Sequence, residues 1–240
     1  VRPRRLLRYA AALTLAGLVL LLLVLTGWRP LWDAERAVVT ALHRTAVGEP
    51  GWTHANRVLT DWVWDPVTMR LLAAASAAVL LVRRRIRAAA WVATATLAGF
   101  AAQNALKALV GRDRPVFPDP VDSAHFHAFP SGHVMTATIV CAVLLVLALR
   151  GPRAGRRGPR AVLWALAAVS VLGVGFTRVY LGVHWPADVI AGWLFGGAVA
   201  AATAVPFLPP HRRRPGTRGT APTPEAKTTA TGPAFEERTG

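Results

Sequence analysis

Six long apolar blocks constrain this chain more than any other feature. A helix needs roughly 20 apolar residues to cross about 30 Å of hydrocarbon. Blocks of that order cover about Leu6–Thr26, Pro66–Val82, Ala88–Val110, His133–Leu149, Ala161–Thr177 and Pro186–Val205. Apolar residues make up 53% of the 240, and most of the nine Trp sit beside the blocks, where interfacial anchors are expected. The expected fold class is therefore all-α: a polytopic membrane bundle of six transmembrane helices.

The first block follows Arg2, Arg4, Arg5 and Arg8, a start shared with secretory signals. Its length, and the absence of a small-residue cleavage site in Gly27-Trp28-Arg29-Pro30, favour an uncleaved span. From Leu31 to Asp65 the chain is mixed, with Leu31, Ala34, Val38 and Leu42 at helical spacing between Asp33, Glu35, Arg36 and Arg44. That pattern predicts an amphipathic helix at the membrane surface. Beyond Pro206 the chain is rich in Pro, Thr, Gly and Arg, which predicts a disordered tail. The expected organisation is a first span with an amphipathic segment over 1–60, a catalytic membrane core over 61–207, and a basic tail over 208–240. Cys141, the single cysteine, excludes an intrachain disulfide and reads as a small buried side chain.

A net charge of +16 would point to nucleic acid in a soluble chain. Here the charge is sorted by side. With six spans, 19 Lys and Arg and three acidic residues fall on the face that holds both termini. The opposite face holds nine of each sign. The positive-inside rule makes the basic face cytoplasmic. The charge is then an orientation signal, and no nucleic-acid partner is expected. Gly192 and Gly196 form a GxxxG in the last span, which predicts close helix packing or a dimer contact.

This topology gathers three polar segments at the extracytoplasmic face: Lys107 to Pro115, Pro130-Ser131-Gly132-His133, and Thr177-Arg178 to Asp188. Taken singly, each has a plain structural use. Lys107 can snorkel to the interface, Ser131 can cap a helix, and Asp188 suits a helix's first turn. Together they form a set that membranes rarely tolerate without function. Lys107, Arg114 and Arg178 offer charge and forked donors for phosphate oxygens. Ser131 and Gly132 stand at a helix start, where backbone N–H groups favour an anion and glycine lets it approach. A neutral histidine can attack phosphorus while a second protonates the departing oxygen. His184 and Asp188 are four apart across Pro186, so a helix beginning there lets the carboxylate orient the ring. Asp113, Asp119, Asp122, His125 and His127 read as a solvated loop face rather than a metal site.

These segments resemble the signature of the type 2 phosphatidic acid phosphatase (PAP2) superfamily, K-x6-R-P, P-S-G-H and S-R-x5-H-x3-D, with Thr177 where the family has Ser. The resemblance covers roughly residues 60 to 205. It implies His184 as nucleophile, Asp188 as its partner and His133 as the acid for the leaving group. Lys107, Arg114, Ser131, Gly132 and Arg178 would hold the phosphate, with no metal or cofactor. The implied substrate is a lipid phosphate or pyrophosphate, with undecaprenyl pyrophosphate foremost and phosphatidylglycerophosphate or phosphatidic acid as alternatives. A non-catalytic lipid-binding or transporting protein is the reading of another class. It leaves the nucleophile–orienter pair unexplained. Vanadate-dependent peroxidase chemistry belongs to soluble relatives and does not fit the spans.

Overall fold

Capping chemistry decides where the helices begin and end. Asp65 accepts the backbone N–H groups of Val67 and Thr68 through its Oδ1, at 2.7 and 3.3 Å, with Pro66 as the first helical residue. Gly111 closes another helix in the left-handed conformation, φ +59°, which a side chain would disfavour. Pro186 opens the last helix, as the sequence predicts.

The structure is a computed structural model that describes residues 3–150 and 157–207. The expected tail from 208 to 240 and most of the Arg150–Arg160 connection lie outside them. Every regular element among the described residues is a helix: α1 (Pro3–Leu25), α2 (Arg29–Gly48), α3 (Pro50–Val58), a π-helical turn (Leu59–Val63), α4 (Pro66–Val82), α5 (Ile86–Val110), α6 (Gly132–Leu149), α7 (Arg157–Tyr180) and α8 (Pro186–Phe207). Five stretches are long and apolar enough to cross a membrane: α1, the run Pro50–Val82, α6, α7 from Gly158, and α8. The expected third span, α5, is about 37 Å long at 1.5 Å per residue. It falls outside that set because Gln103, Asn104 and Lys107 interrupt its apolar character near one end.

α8 is the hub, packing on α1, α5, α6 and α7. α6 and α8 are the most buried of the apolar helices, while α1 and the Pro50–Val82 run expose most of theirs. Leu15, Leu22, Leu71, Val82, Leu97, Leu166 and Val169 all point outward, as side chains facing lipid do. The α6–α8 contact depends on the GxxxG glycines. A Cβ on Gly192 would meet Val134 Cβ at 2.9 Å, and one on Gly196 would meet Met135 O at 3.0 Å. The motif therefore serves packing within the chain. Gly196→Leu is expected to lose about 1–3 kcal/mol through overpacking. The measurement is a lowered midpoint of thermal unfolding in detergent.

The segment from Leu31 is helical, and its apolar stripe is turned outward. The predicted stripe Leu31, Ala34, Val38 and Leu42 is exposed or only partly covered, and α2 instead buries Glu35, Val39, His43 and Ala46. An apolar stripe turned outward is what a helix lying at a membrane surface presents. Here the inward face meets polar partners, and the apolar side is left to the surroundings.

One end of the bundle carries the basic segments. Arg87 at the start of α5 donates to the Pro206 carbonyl near the end of α8, at 2.9 Å. α1 runs antiparallel to α8, with Leu13 near Gly197 and Gly17 near Phe195, which puts Arg4, Arg5 and Arg8 at that same end. The 21 residues between α5 and α6 form a helix-free loop at the other end.

Candidate active site

Four helix ends meet beneath that loop. α5 ends with Lys107, α6 starts at Gly132, α7 ends with Arg178, and α8 starts two residues before Asp188. The turn from α7 to α8, Leu181 to Trp185, carries His184. Gly182 makes the turn possible with φ +68°, and Phe117 from the long loop packs where a side chain would project.

His184 is fully enclosed, and its two ring nitrogens face different partners. Nδ1 lies 3.3 Å from Asp188 Oδ2, and Nε2 lies 3.1 Å from Arg114 Nη1. A guanidinium can only donate, so Nε2 must be the acceptor. The neutral ring then carries its proton on Nδ1 and donates it to Asp188, leaving the lone pair of Nε2 on the side of the cations. Burial, followed by the charges of Arg114, Arg178 and Lys107, holds the His184 pKa well below the usual histidine value. The neutral form therefore persists as pH falls through 6.5. The acid limb of kcat/KM due to this ring is expected below pH 6.5, read from initial rates across a buffer series.

The three expected phosphate-binding cations converge, and each is already tethered. Lys107 Nζ donates to the His127 carbonyl. Arg114 donates to three carbonyls: from Nε to Phe126 at 2.9 Å, from Nη2 to His125 at 3.0 Å, and from Nη1 to Val183 at 2.5 Å. Burial lowers the pKa of Arg114. Arg178 is almost completely buried; its Nη1 donates to Thr60 Oγ1 at 3.2 Å and lies 3.8 Å from Asp122 Oδ2, while its Nε has no partner among the described residues. Asp122 is thus drawn in beside Arg178, although the sequence placed it on a solvated face. Asp119 pairs with His43 at 3.1 Å, and that hydrogen bond lowers its pKa.

Ser131 stands at the cap position of α6 without capping it. Its Oγ is buried and makes no hydrogen bond among the described residues, and its backbone N–H donates to the Asp188 carbonyl at 2.9 Å. Gly132 leaves space, but the Gln103 amide takes it, 2.6 Å from where a Cβ would lie. The hydroxyl of Thr177 bonds back to the Val174 carbonyl at 2.9 Å, so its use here is structural. His133 Nε2 lies 3.9 Å from Asp65 Oδ2, the free oxygen of the carboxylate that caps α4.

The sequence reading missed five polar residues around this cluster: Glu35, Thr60, Asp65, Gln103 and Arg112. Arg112 lies inside the first motif, two residues before Arg114, and the alternation Arg-Asp-Arg was the available signal. Burial alone would lower its pKa, but Asp188 and Glu35 more than offset this and raise it.

Comparison with known proteins identifies the family. The family model of the PAP2 superfamily matches residues 88–208. An undecaprenyl-diphosphatase of Sulfolobus acidocaldarius is 39% identical over 83 residues, 35% of this chain and 33% of that protein. The chain thus spans about a third of that relative's length. A decaprenylphosphoryl-5-phosphoribose phosphatase of Mycolicibacterium smegmatis is 31% identical over 66% of this chain and 81% of its own length. The crystal structure of a transmembrane PAP2-type phosphatidylglycerolphosphate phosphatase from Bacillus subtilis superposes with a TM-score of 0.64. The superposition covers 81% of this chain and 94% of that one, at 22% identity, so it speaks to the fold.

Proposed function

This chain belongs to the PAP2 superfamily and is a multi-pass membrane protein; from that premise we propose that it hydrolyses a lipid phosphate or pyrophosphate through a phosphohistidine. The observation that carries the proposal is the line Asp188–His184–Arg114. It places a neutral, oriented imidazole with its lone pair facing a guanidinium suited to a phosphoryl group.

In this reading Lys107, Arg114 and Arg178 gather the phosphate oxygens, and the Ser131 hydroxyl together with the N-terminus of α6 from Gly132 adds further donors. Oxygens of the substrate replace the tethers of Arg114, which frees Nε2. Nε2 then forms a bond to phosphorus as the bond to the leaving oxygen breaks, and His133 gives that oxygen its proton. Water next attacks the phosphohistidine while His133 takes up a proton, which returns both rings to their starting state. Asp188 stabilises the charge that develops on His184.

A polyprenyl pyrophosphate, undecaprenyl pyrophosphate above all, is the proposed substrate, with phosphatidylglycerophosphate and phosphatidic acid as alternatives. Similarity to both a diphosphatase and a decaprenyl-linked phosphatase supports the polyprenyl choice. The basic end of the bundle would be cytoplasmic with both termini, and the site extracytoplasmic. Phosphate release from a panel of these lipids, with chelator present, tests the reading. Polyprenyl pyrophosphate is expected to turn over fastest. Turnover that requires an added divalent metal would overturn the mechanism.

A further inference from the structure

Glu35 lies on α2, outside the three motifs and outside the residues matched by the family model. Its carboxylate is nevertheless 2% exposed and spans two elements of the site. Oε1 accepts the Ala187 N–H at 2.8 Å and Arg112 Nη1 at 3.3 Å, and Oε2 accepts Arg112 Nη2 at 2.5 Å. The same Arg112 Nη1 donates to Asp188 Oδ1 at 2.7 Å. The other oxygen of Asp188 accepts the Trp185 N–H at 2.9 Å and faces His184. Both oxygens of the carboxylate that orients His184 are therefore assigned, one of them through Arg112.

The guanidinium is also held on its faces. It lies 5.6 Å from the Trp32 ring and 5.5 Å from the Trp185 ring, and these indoles meet at 4.8 Å. Trp32 and Glu35 are three apart on α2, so one face of that helix supplies both an aromatic wall and a charged anchor. Trp185 is fixed in turn by its indole N–H on the Asp113 carbonyl, at 2.9 Å. Clusters of buried charge add little stability compared with apolar side chains of the same volume. Their retention beside a catalytic carboxylate calls for a functional account. An unsupported carboxylate at 0% exposure would be costly to keep ionised and free to rotate away from the ring.

We propose that Glu35 and Arg112 are positioning residues, which hold the Asp188 carboxylate aimed at His184 Nδ1, so that α2 is part of the catalytic apparatus. The proposal rests on the reading of His184 as nucleophile. Glu35 also ties the first turn of α8 to α2 through Ala187 N–H, so the helix that presents Asp188 starts in a fixed place. Neither residue touches the phosphate site, and their effect passes through Asp188.

The test uses the full chain in detergent, with farnesyl pyrophosphate as probe. Glu35→Gln keeps an oxygen for Ala187 N–H but removes the charge and the acceptor that faces Arg112 Nη2; Arg112→Lys keeps the charge and removes the fork. Each is expected to lower kcat about 10- to 100-fold, as loss of an outer partner of a functional histidine does, with KM within about 2-fold. In an Asp188→Asn background the same changes should add almost nothing. Nitrogen-15 spectra of labelled histidine give a second reading that needs no turnover: the His184 ring signals should move in both variants. Unchanged kcat, full additivity with Asp188→Asn, or unmoved His184 signals would each overturn the proposal. If the wild type fails to hydrolyse the lipid panel, or His184→Ala retains full activity, the phosphatase reading fails instead, and the spectra still decide the positioning.

Discussion

His184→Ala is expected to abolish phosphate release, a loss on the order of 10⁴-fold or more, as when a triad member is removed elsewhere. Nε2 of His184 is the lone pair turned toward Arg114, so the substitution removes the atom that the proposed mechanism needs as nucleophile. The fold should survive, because the ring's removal leaves the Arg112–Asp188 pair intact. Two measurements check this: initial rates on a polyprenyl pyrophosphate, and size-exclusion profiles that match the unmodified protein. A phosphorylated protein that is acid-labile and absent from the variant would identify the ring as the site of attack. Residual turnover near the wild-type rate would sink the nucleophile assignment.

Arg114→Lys is expected to reduce kcat/KM by about 10²- to 10³-fold, equivalent to roughly 3–4 kcal/mol of transition-state stabilisation. The substitution keeps the charge, so a purely Coulombic role predicts a small effect. The geometry predicts a large one. Arg114 spreads its donors over the carbonyls of His125, Phe126 and Val183 and over His184 Nε2. A lysine ammonium is a single point that cannot satisfy these directions together. The loop from 111 to 131 would lose one of its links to the α7–α8 turn. Faster proteolysis within that loop should accompany the loss of activity. A variant with wild-type kcat/KM and an intact loop would show that charge alone suffices.

Much of this site was legible because its chemistry lies in short, rigidly spaced segments. Once Pro186 opened a helix, Asp188 in its first turn came within reach of His184 in the turn before it, and the structure has them bonded. Lys107, Arg114 and Arg178 fell at the same end because helices of span length alternate direction. The helix starts and stops at Asp65, Gly111 and Pro186 follow from residue types that cap or restrict the backbone. The Asp122–Arg178 approach and the free hydroxyl of Ser131 were not legible, since each depends on how a 21-residue loop returns over the bundle.

Sequence alone determined that this chain is helical, membrane-crossing and equipped with a histidine–carboxylate pair among cations. These properties follow from hydrophobic run length, local helical spacing and the sorting of charge. Only the tertiary structure decided which face of α2 is turned inward. Apolar periodicity marks the protein-facing side of a helix when the surroundings are water, but lipid accepts the same side chains. In this chain Leu31, Ala34 and Val38 face largely away, and Glu35 and His43 are turned in toward Arg112 and Asp119. The support of Asp188 by Glu35 joins residues 153 apart in the chain. No local pattern encodes such a contact, because it exists only once α2 has packed against the start of α8.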